Sequence, residues 1–295
     1  MQEQNARIGF IGLGVMGGPM CRNIVDKHAG TVHVFDRDPV AVDMLRQAGA
    51  VLAASVADVA RNADIIFLSL PGGAQVHDVC LGADGIASTG RAGQIVVDLS
   101  TTSVTEARQT GAALAAHGIA FVDAPVARTR EAAQRGTLSI MVGAEEALFT
   151  RIEPLLRFMG SDVTRCGELG CGQVVKLINN TLLFVHVAAL AELMVVGERS
   201  GVASETLLQA VSLGSGDSFA LRNHGMKAMA PRSFPDRAFP STYVLKDMGY
   251  AMDLARDCGV EPRLPEQAAH YYAQAVEQGM GDRYFPVIVE LMGRT

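Results

Sequence analysis

The sequence predicts an α/β Rossmann-type doubly wound domain followed by an all-α domain, with one long helix joining them. Three observations point there. Short β-branched runs alternate with helical segments through the first half of the chain. A Gly-x-Gly-x-x-Gly motif stands where the first strand gives way to the first helix. After about Cys166 the strand-like runs stop, and segments of helical spacing take over.

In chain order, the strand-like runs are "RIGFIGLG", "TVHVFDRD", "ADIIFLSLP", "GQIVVDLS", "AFVDAPV" and "LSIMVGA". Helical segments such as "PVAVDMLRQAG" and "SVTEARQTGAALAAHG" follow most of them. Strands this apolar cannot keep one face wet, so a mostly parallel sheet covered on both sides is expected. The second half opens with the long apolar segment that begins at Gly170. It continues through "SETLLQAVSLG", "SFALRNHGMKAMA", "STYVLKDMGYAMDLARDCG" and "LPEQAAHYYAQAVEQG", all helical in spacing. The Pro- and Arg-bearing "APRSFPDRAFP" reads as a loop. The expected domains are 1–165, binding a dinucleotide, and 166–295, helical and serving substrate and self-association.

Composition narrows the function. A chain of 295 residues, 49% apolar, can bury one large core or two ordinary ones. The formal net charge of −6, without a long basic run, argues against a nucleic-acid or anionic-membrane surface. The first apolar run is short and glycine-rich, so no secretory signal is expected. The longest apolar run starts at Thr181 and carries His186 and Glu192, which suits a buried helix better than a membrane span. Five scattered cysteines without a C-x-x-C motif read as free thiols of a cytoplasmic protein, and no metal site is expected.

The motif itself is Gly12-Leu13-Gly14-Val15-Met16-Gly17. Gly12 permits the tight turn, Gly14 lets the backbone approach a pyrophosphate, and Gly17 allows close helix–strand packing; the helix N-terminus then attracts the anion. Asp36 ends the second strand, 19 residues after Gly17, where an acidic side chain would grip the adenosine ribose hydroxyls. Its charge favours NAD by repelling a 2′-phosphate, although Arg37 beside it leaves NADP possible. Ligands of doubly wound sheets lie beyond the strands' carboxyl ends, so Leu70-Pro71 and Ser100-Thr101 are further cofactor candidates. Each pair could equally serve only to cap the next helix.

Taken together, these segments resemble the β-hydroxyacid dehydrogenase family, which takes in the 3-hydroxyisobutyrate dehydrogenase and tartronate semialdehyde reductase types. The resemblance runs over nearly the whole chain. It is carried by "GFIGLGVMGGPM", "SLPGGAQV", "DLSTTSV" (with Val104 where a proline is usual), "DAPVART" and "GCGQVVKLINN". It implies that Lys176 is the catalytic proton donor and acceptor, that Gly172, Asn179 and Asn180 contact substrate, and that Lys246 of the Lys246-Asp247 pair faces the cofactor. On the residues alone, Lys176 could as well be a lysine snorkelling from a helix end. With the resemblance, the spacing acquires a chemical reading. Gly172, Lys176 and Asn180 fall on one helix face. Gly172 would leave room above the amine for a small molecule, and Lys176 would hand a proton to a carbonyl oxygen or take one from an alcohol. Burial disfavours the charged form of a lysine, which suits that shuttle.

One departure bears on the substrate. Where the family usually has Ser-Gly-Gly after Asp-Ala-Pro-Val, this chain has Ala127, Arg128 and Thr129. A guanidinium is a five-donor fork suited to carboxylate or sulfonate oxygens, and the sulfolactaldehyde reductase branch carries Gly-Arg-Thr here. The expected substrate is therefore a small anionic 3-hydroxy acid or its semialdehyde, bound by Arg128 and Thr129 and carrying a sulfonate or second carboxylate. Another reading of Arg128 is a solvated residue paired with Glu131. Set against the enzyme is a dinucleotide-binding module without turnover, used for sensing or scaffolding; the presence of Lys176 speaks for the enzyme. A Tyr-x-x-x-Lys pair of the short-chain type is missing, and so are zinc ligands. A helix as apolar as the long one must bury all its sides, so a homo-oligomer, dimer or tetramer, is expected.

Overall fold

The computed structural model describes residues 5–236 and 238–292. It forms two compact units, Met1–Lys176 and Leu177–Thr295. Among the described residues the first holds all nine strands: β1 (Ile8–Ile11), β2 (Val32–Phe35), β3 (Val51–Leu52), β4 (Ile65–Leu68), β5 (Ile95–Asp98), β6 (Ala120–Asp123), β7 (Val126–Ala127), β8 (Leu138–Gly143) and β9 (Gly160–Gly167). Its helices are α1 (Gly17–Lys27), α2 (Pro39–Gln47), α3 (Val56–Asn62), α4 (Gly73–Leu81), α5 (Ile86–Thr89), α6 (Val104–Ala115), α7 (Arg130–Arg135) and α8 (Glu146–Leu156).

The strands lie in the order β3-β2-β1-β4-β5-β6-β8-β7, with β9 paired to β8. Strand order reverses between β1 and β4, which places a ligand crevice beyond their carboxyl ends. β1 to β6 pair in parallel. β8 is antiparallel to β6 and β7, because the short α7 returns the chain beside the strand it has just left. The parallel strands alternate between two buried faces. Phe10, Phe67, Val97 and Val122 pack on one side with Ile152 and Leu156. Ile11, Ile66, Val96 and Phe121 pack on the other with Val59 and Val76. Helix entries follow the side chains that start them. Ser103 and Glu106 make a capping box for α6, and Asp38 accepts from the Val40 N–H ahead of Pro39 in α2.

Two strands lie outside the six expected runs, and the run "AFVDAPV" divides into β6 and the start of the two-residue β7. β3 is two exposed residues at the sheet's edge, and β9 is a polar, half-exposed strand that runs parallel to β8. β9 lacks the apolar run by which a buried strand is read, and β3 is only two residues long.

Helix α9 (Cys171–Arg199) crosses the boundary between the units. It is long and apolar enough to span a membrane, yet Phe184, Val187, Ala191 and Met194 on it are core residues of the helical unit. Around them pack α10 (Ser204–Ser212), a π-type turn region at Leu221–Met229, α11 (Ser241–Asp257), α12 (Arg263–Ala275) and α13 (Val289–Met292). Phe184 stacks edge-on against Tyr272 and Phe285, and the buried Tyr272 hydroxyl donates to the Phe184 carbonyl at 3.0 Å. The segment expected as a loop, residues 230–240, is pinned by two bridges, Asp236 to Arg283 and Pro240 to Tyr284; Arg237 within it lies outside the described residues.

Candidate active site

β1 delivers the chain into the glycine loop, and the loop's geometry fits a dinucleotide. Gly12 has φ +93°, and a Cβ there would lie 2.2 Å from the Ser69 carbonyl oxygen. A Cβ on Gly17 would lie 2.0 Å from the Gly12 carbonyl oxygen. Around Gly14, by contrast, nothing lies within 4 Å, so its outer side is open to an approaching phosphate. Leu13 is buried, Val15 is exposed and Met16 half-buried; α1 begins with neither a side-chain cap nor an acidic residue in its first turn. Its N-terminal dipole is thus left to an anion.

Asp36 holds this loop in shape. One carboxylate oxygen accepts from the Leu13 N–H at 2.5 Å, and the other from the Asp38 N–H at 2.8 Å. A carboxylate offers about four acceptor sites, so both oxygens retain capacity for ribose hydroxyls. Beside it lies a recess of about 310 Å³, lined by Asp36, Arg37, Arg46 and Ala53 among others. Arg46 is paired with Asp43. Arg37 is exposed and makes no pair with the described residues.

The ends of β4 and β5 are bound to each other. The Ser100 hydroxyl accepts from the Leu70 N–H at 2.9 Å, and the Ser100 N–H donates to Asp98 at 3.0 Å. Ser100 is almost fully buried, Thr101 is half-buried and Pro71 is exposed. The acceptor side of the Ser100 hydroxyl is therefore already engaged in shaping the sheet edge.

Lys176 is buried, with 8% exposure, five residues into α9. What places it is the first turn of the helix. Asp123, at the end of β6 and fully buried, accepts from the Gly170 N–H and the Gln173 N–H, both at 2.7 Å. A carboxylate there caps the helix and sits at the favourable end of its dipole. Burial pushes the Asp123 carboxyl up to about 6, while the backbone N–H groups pull it the other way. Because the folded-state value is raised, this group stabilises the fold fully only below the ordinary carboxylate range, and that contribution is lost as pH rises through about 6. Gln173, also fully buried, accepts from the Thr102 N–H at 3.2 Å and donates to the Ser100 carbonyl at 2.8 Å. These contacts tie the start of α9 to the sheet, and the first compact unit runs on through Lys176.

Several expected roles change with this geometry. Gly172, expected to leave room for substrate, packs closely against the sheet. A Cβ on it would lie 2.4 Å from the Met141 carbonyl oxygen and 2.8 Å from Asp123, so its bareness lets the helix seat against the sheet. Arg128 is not a free fork. It has φ +87°, a conformation that favours glycine. Its guanidinium donates to the Thr137 carbonyl at 2.7 Å and the Ser161 hydroxyl at 3.0 Å, and it pairs with Asp162 at 2.8 Å. Ser161 and Arg128 together hold the Asp162 carboxyl below its usual range. Glu131, the expected alternative partner, pairs with Arg135 instead. Thr129 is the N-cap of α7, its hydroxyl accepting from the Ala132 N–H at 3.4 Å.

In the helical unit, the buried Asn180 donates to Asp247 at 2.8 Å and accepts from the exposed Asn179 at 3.2 Å. Lys246 lies 3.1 Å from Asp247 and over the rings of Tyr243 and Tyr250, at 5.9 and 5.4 Å. Of these contacts, the Asn180–Asp247 bond joins α11 to α9. Sequence reasoning missed Asp123, Gln173 and Gly143, at which a Cβ would lie 2.2 Å from Asp123. One signal was present: β5 and β6 each end on an aspartate, and another directly follows β2.

Comparison with known proteins places the chain in a family. The NAD binding domain of 6-phosphogluconate dehydrogenase matches residues 7–167, and the NAD-binding domain of NADP-dependent 3-hydroxyisobutyrate dehydrogenase matches residues 170–292. The chain is 34% identical to 2-(hydroxymethyl)glutarate dehydrogenase of Eubacterium barkeri, over 98% of this chain and 95% of that one. It is also 34% identical to the NAD-dependent L-serine dehydrogenase of Pseudomonas aeruginosa, over 98% of each. The structure of Mycobacterium tuberculosis 3-hydroxyisobutyrate dehydrogenase with L-serine superposes with a TM-score of 0.89 at 30% identity, covering 99% of this chain and all of that one. The chain belongs to the 3-hydroxyisobutyrate dehydrogenase group of the β-hydroxyacid dehydrogenase family, and it is an NAD(P)-dependent dehydrogenase acting on the CH–OH group of a 3-hydroxy acid.

Proposed function

We propose that the chain oxidises a small 3-hydroxy carboxylic acid, or reduces the matching semialdehyde, with NAD preferred and Lys176 moving the proton. The observation that carries this reading is a buried lysine on a helix whose first turn is bound to the carboxyl edge of a dinucleotide-binding sheet. When bound, the nicotinamide supplies the hydride acceptor or donor. Lys176 takes the hydroxyl proton as the alcohol is oxidised and returns it to the carbonyl oxygen in reverse. Asn180, four residues further along the helix, offers its amide to the same substrate. Both relatives' names, 2-(hydroxymethyl)glutarate and L-serine dehydrogenase, describe compounds with a hydroxymethyl group on the carbon that bears a carboxylate.

The ion pair of Arg128 with Asp162 supports a plain hydroxy acid over one with a sulfonate or second carboxylate. Exchanging that exposed pair costs little, and the left-handed backbone of Arg128 carries strain of about 1–3 kcal/mol. Arg128→Gly is therefore expected to hold or raise Tm and to leave KM for the best hydroxy acid within roughly three-fold. A KM rise of about ten-fold or more, equal to the loss of a charge-assisted bond, returns the guanidinium to the substrate and the sulfonate to the lead.

NAD preference rests on Asp36. Asp36→Asn should raise KM for NAD and narrow the gap to NADP, since the ribose loses a charged acceptor and the 2′-phosphate loses a repulsive neighbour. A wild-type protein that already prefers NADP makes Arg37 the determinant.

Self-association belongs to the same reading. Val175, Ile178, Leu182, Leu193 and Val196 are exposed along one side of α9, a stripe at helical spacing. A second copy laying its own α9 against this stripe would bury it. Light scattering on the eluting protein should give a dimer or tetramer, and Leu182→Asp should shift it toward monomer. A monomeric wild type at micromolar concentration ends that part of the reading.

A further inference from the structure

Gln173 and Asp123 are buried, polar and outside the proton-transfer chemistry proposed for Lys176, and both are hydrogen-bonded to the backbone. Gln173 uses its backbone N–H on Asp123, its amide oxygen on Thr102 and its amide nitrogen on the Ser100 carbonyl. Asp123 takes the Gly170 N–H with its other oxygen. Gly143 and Gly172 leave just enough space for that carboxylate between β8 and α9. An apolar side chain would join a helix to a sheet at lower desolvation cost. Apolar contact is non-directional, however, whereas four hydrogen bonds to two strand ends fix both the depth and the rotation of the helix. Gln173 precedes Lys176 by three residues, so the two share a helix face about 4.5 Å apart along the axis.

We propose that Gln173 and Asp123 are positioning residues that set the height and rotation of Lys176 against the ends of β5 and β6. The inference rests on Lys176 being the proton-transfer group. Ser100 links Gln173 onward to the Leu70 N–H, so the same network joins the lysine's helix to both strand ends expected to meet the cofactor. A displacement of about 1 Å in a reacting group is enough to lower the rate by up to 10²-fold.

The test uses Gln173→Met, similar in size but unable to bond Thr102 or Ser100, and Gln173→Glu, which keeps the bond from Thr102 and loses the one to Ser100. Turnover is measured at saturating substrate and cofactor, together with both KM values and Tm, in the wild-type and Lys176→Ala backgrounds. In the wild-type background, kcat should fall roughly 10- to 100-fold for Gln173→Met and less for Gln173→Glu, with both KM values within about three-fold. In the Lys176→Ala background, either substitution should cause no further loss, because nothing remains to be positioned. Unchanged kcat in both variants, or an equal additional loss without Lys176, overturns the proposal. If Gln173→Met does not fold, Gln173→Glu alone decides by the same two criteria. Should Lys176→Ala itself keep near-normal turnover, the proton-transfer reading fails instead, and that outcome is recognised without any Gln173 variant.

Discussion

Lys176→Ala is expected to lose turnover by ~10²–10⁴-fold, the usual worth of a general acid–base group, while binding NAD as before. The two functions are physically separate. The determinants proposed for the cofactor are the glycine loop, held by Asp36 through the Leu13 N–H, and the open space around Gly14. Lys176 lies on α9, which begins after β9 and is tied to β5 and β6. Removing its amine leaves the Asp123 and Gln173 anchors untouched, so the helix should keep its place and Tm should change little. Substrate KM should rise less than kcat falls, because a proton-transfer group acts mainly in the transition state. The check is steady-state kinetics beside NADH titration followed by fluorescence. A near-normal kcat with intact NAD binding removes Lys176 from the chemistry.

Gly172→Ala is the second substitution expected to act strongly, and it separates two meanings of one glycine. If the bare Cα makes room for substrate, a methyl group raises KM and leaves the fold alone. The structure indicates otherwise. The new Cβ would stand 2.4 Å from the Met141 carbonyl oxygen and 2.9 Å from that of Asp123. Backbone on a central strand cannot turn aside as a flexible side chain does. Overpacking of this kind costs about 1–3 kcal/mol, and relief comes from moving the start of α9 outward. That movement stretches the Asp123 and Gln173 bonds and carries Lys176 with it. Both Tm and kcat should therefore fall, kcat by up to ~10²-fold, while the cofactor's KM holds. A variant with wild-type Tm and kcat and a raised substrate KM supports the older meaning.

How far the sequence could be read depends on whether a residue's role is local. The glycine loop was legible because turn, phosphate approach and packing each need a bare Cα within six residues of one another. The distance from that loop singled out Asp36, which does bond the loop at the Leu13 N–H. The central strands showed themselves as apolar runs, as strands covered on both faces must. β3 and β9 did not, since β3 is only two residues long and β9, at the sheet's edge, is polar and half-exposed. Missing β9 carried a further cost. Its residues Ser161 and Asp162 hold the Arg128 guanidinium, and without them that side chain looked free to meet a substrate. The packing around Gly172 was illegible for a related reason. A sequence shows that a side chain is missing, but not that Met141 and Asp123 fill the space. Asp123 itself stood in plain view at the end of its strand, yet its partners Gly170 and Gln173 lie about 50 residues on. A helix capped from so far along the chain leaves no local signature.

The most direct test of the account is reduction of nicotinamide, followed by absorbance, across a panel of small alcohols with NAD and with NADP. The panel includes 3-hydroxyisobutyrate, L-serine, 2-(hydroxymethyl)glutarate, a sulfonated analogue, and 2-hydroxy acids as controls, with Lys176→Ala run alongside. The account predicts turnover of at least one 3-hydroxy carboxylic acid, faster with NAD, absent for the 2-hydroxy acids and lost in Lys176→Ala. Binding of NAD without oxidation of any 3-hydroxy acid, or equal turnover by wild type and Lys176→Ala, contradicts it.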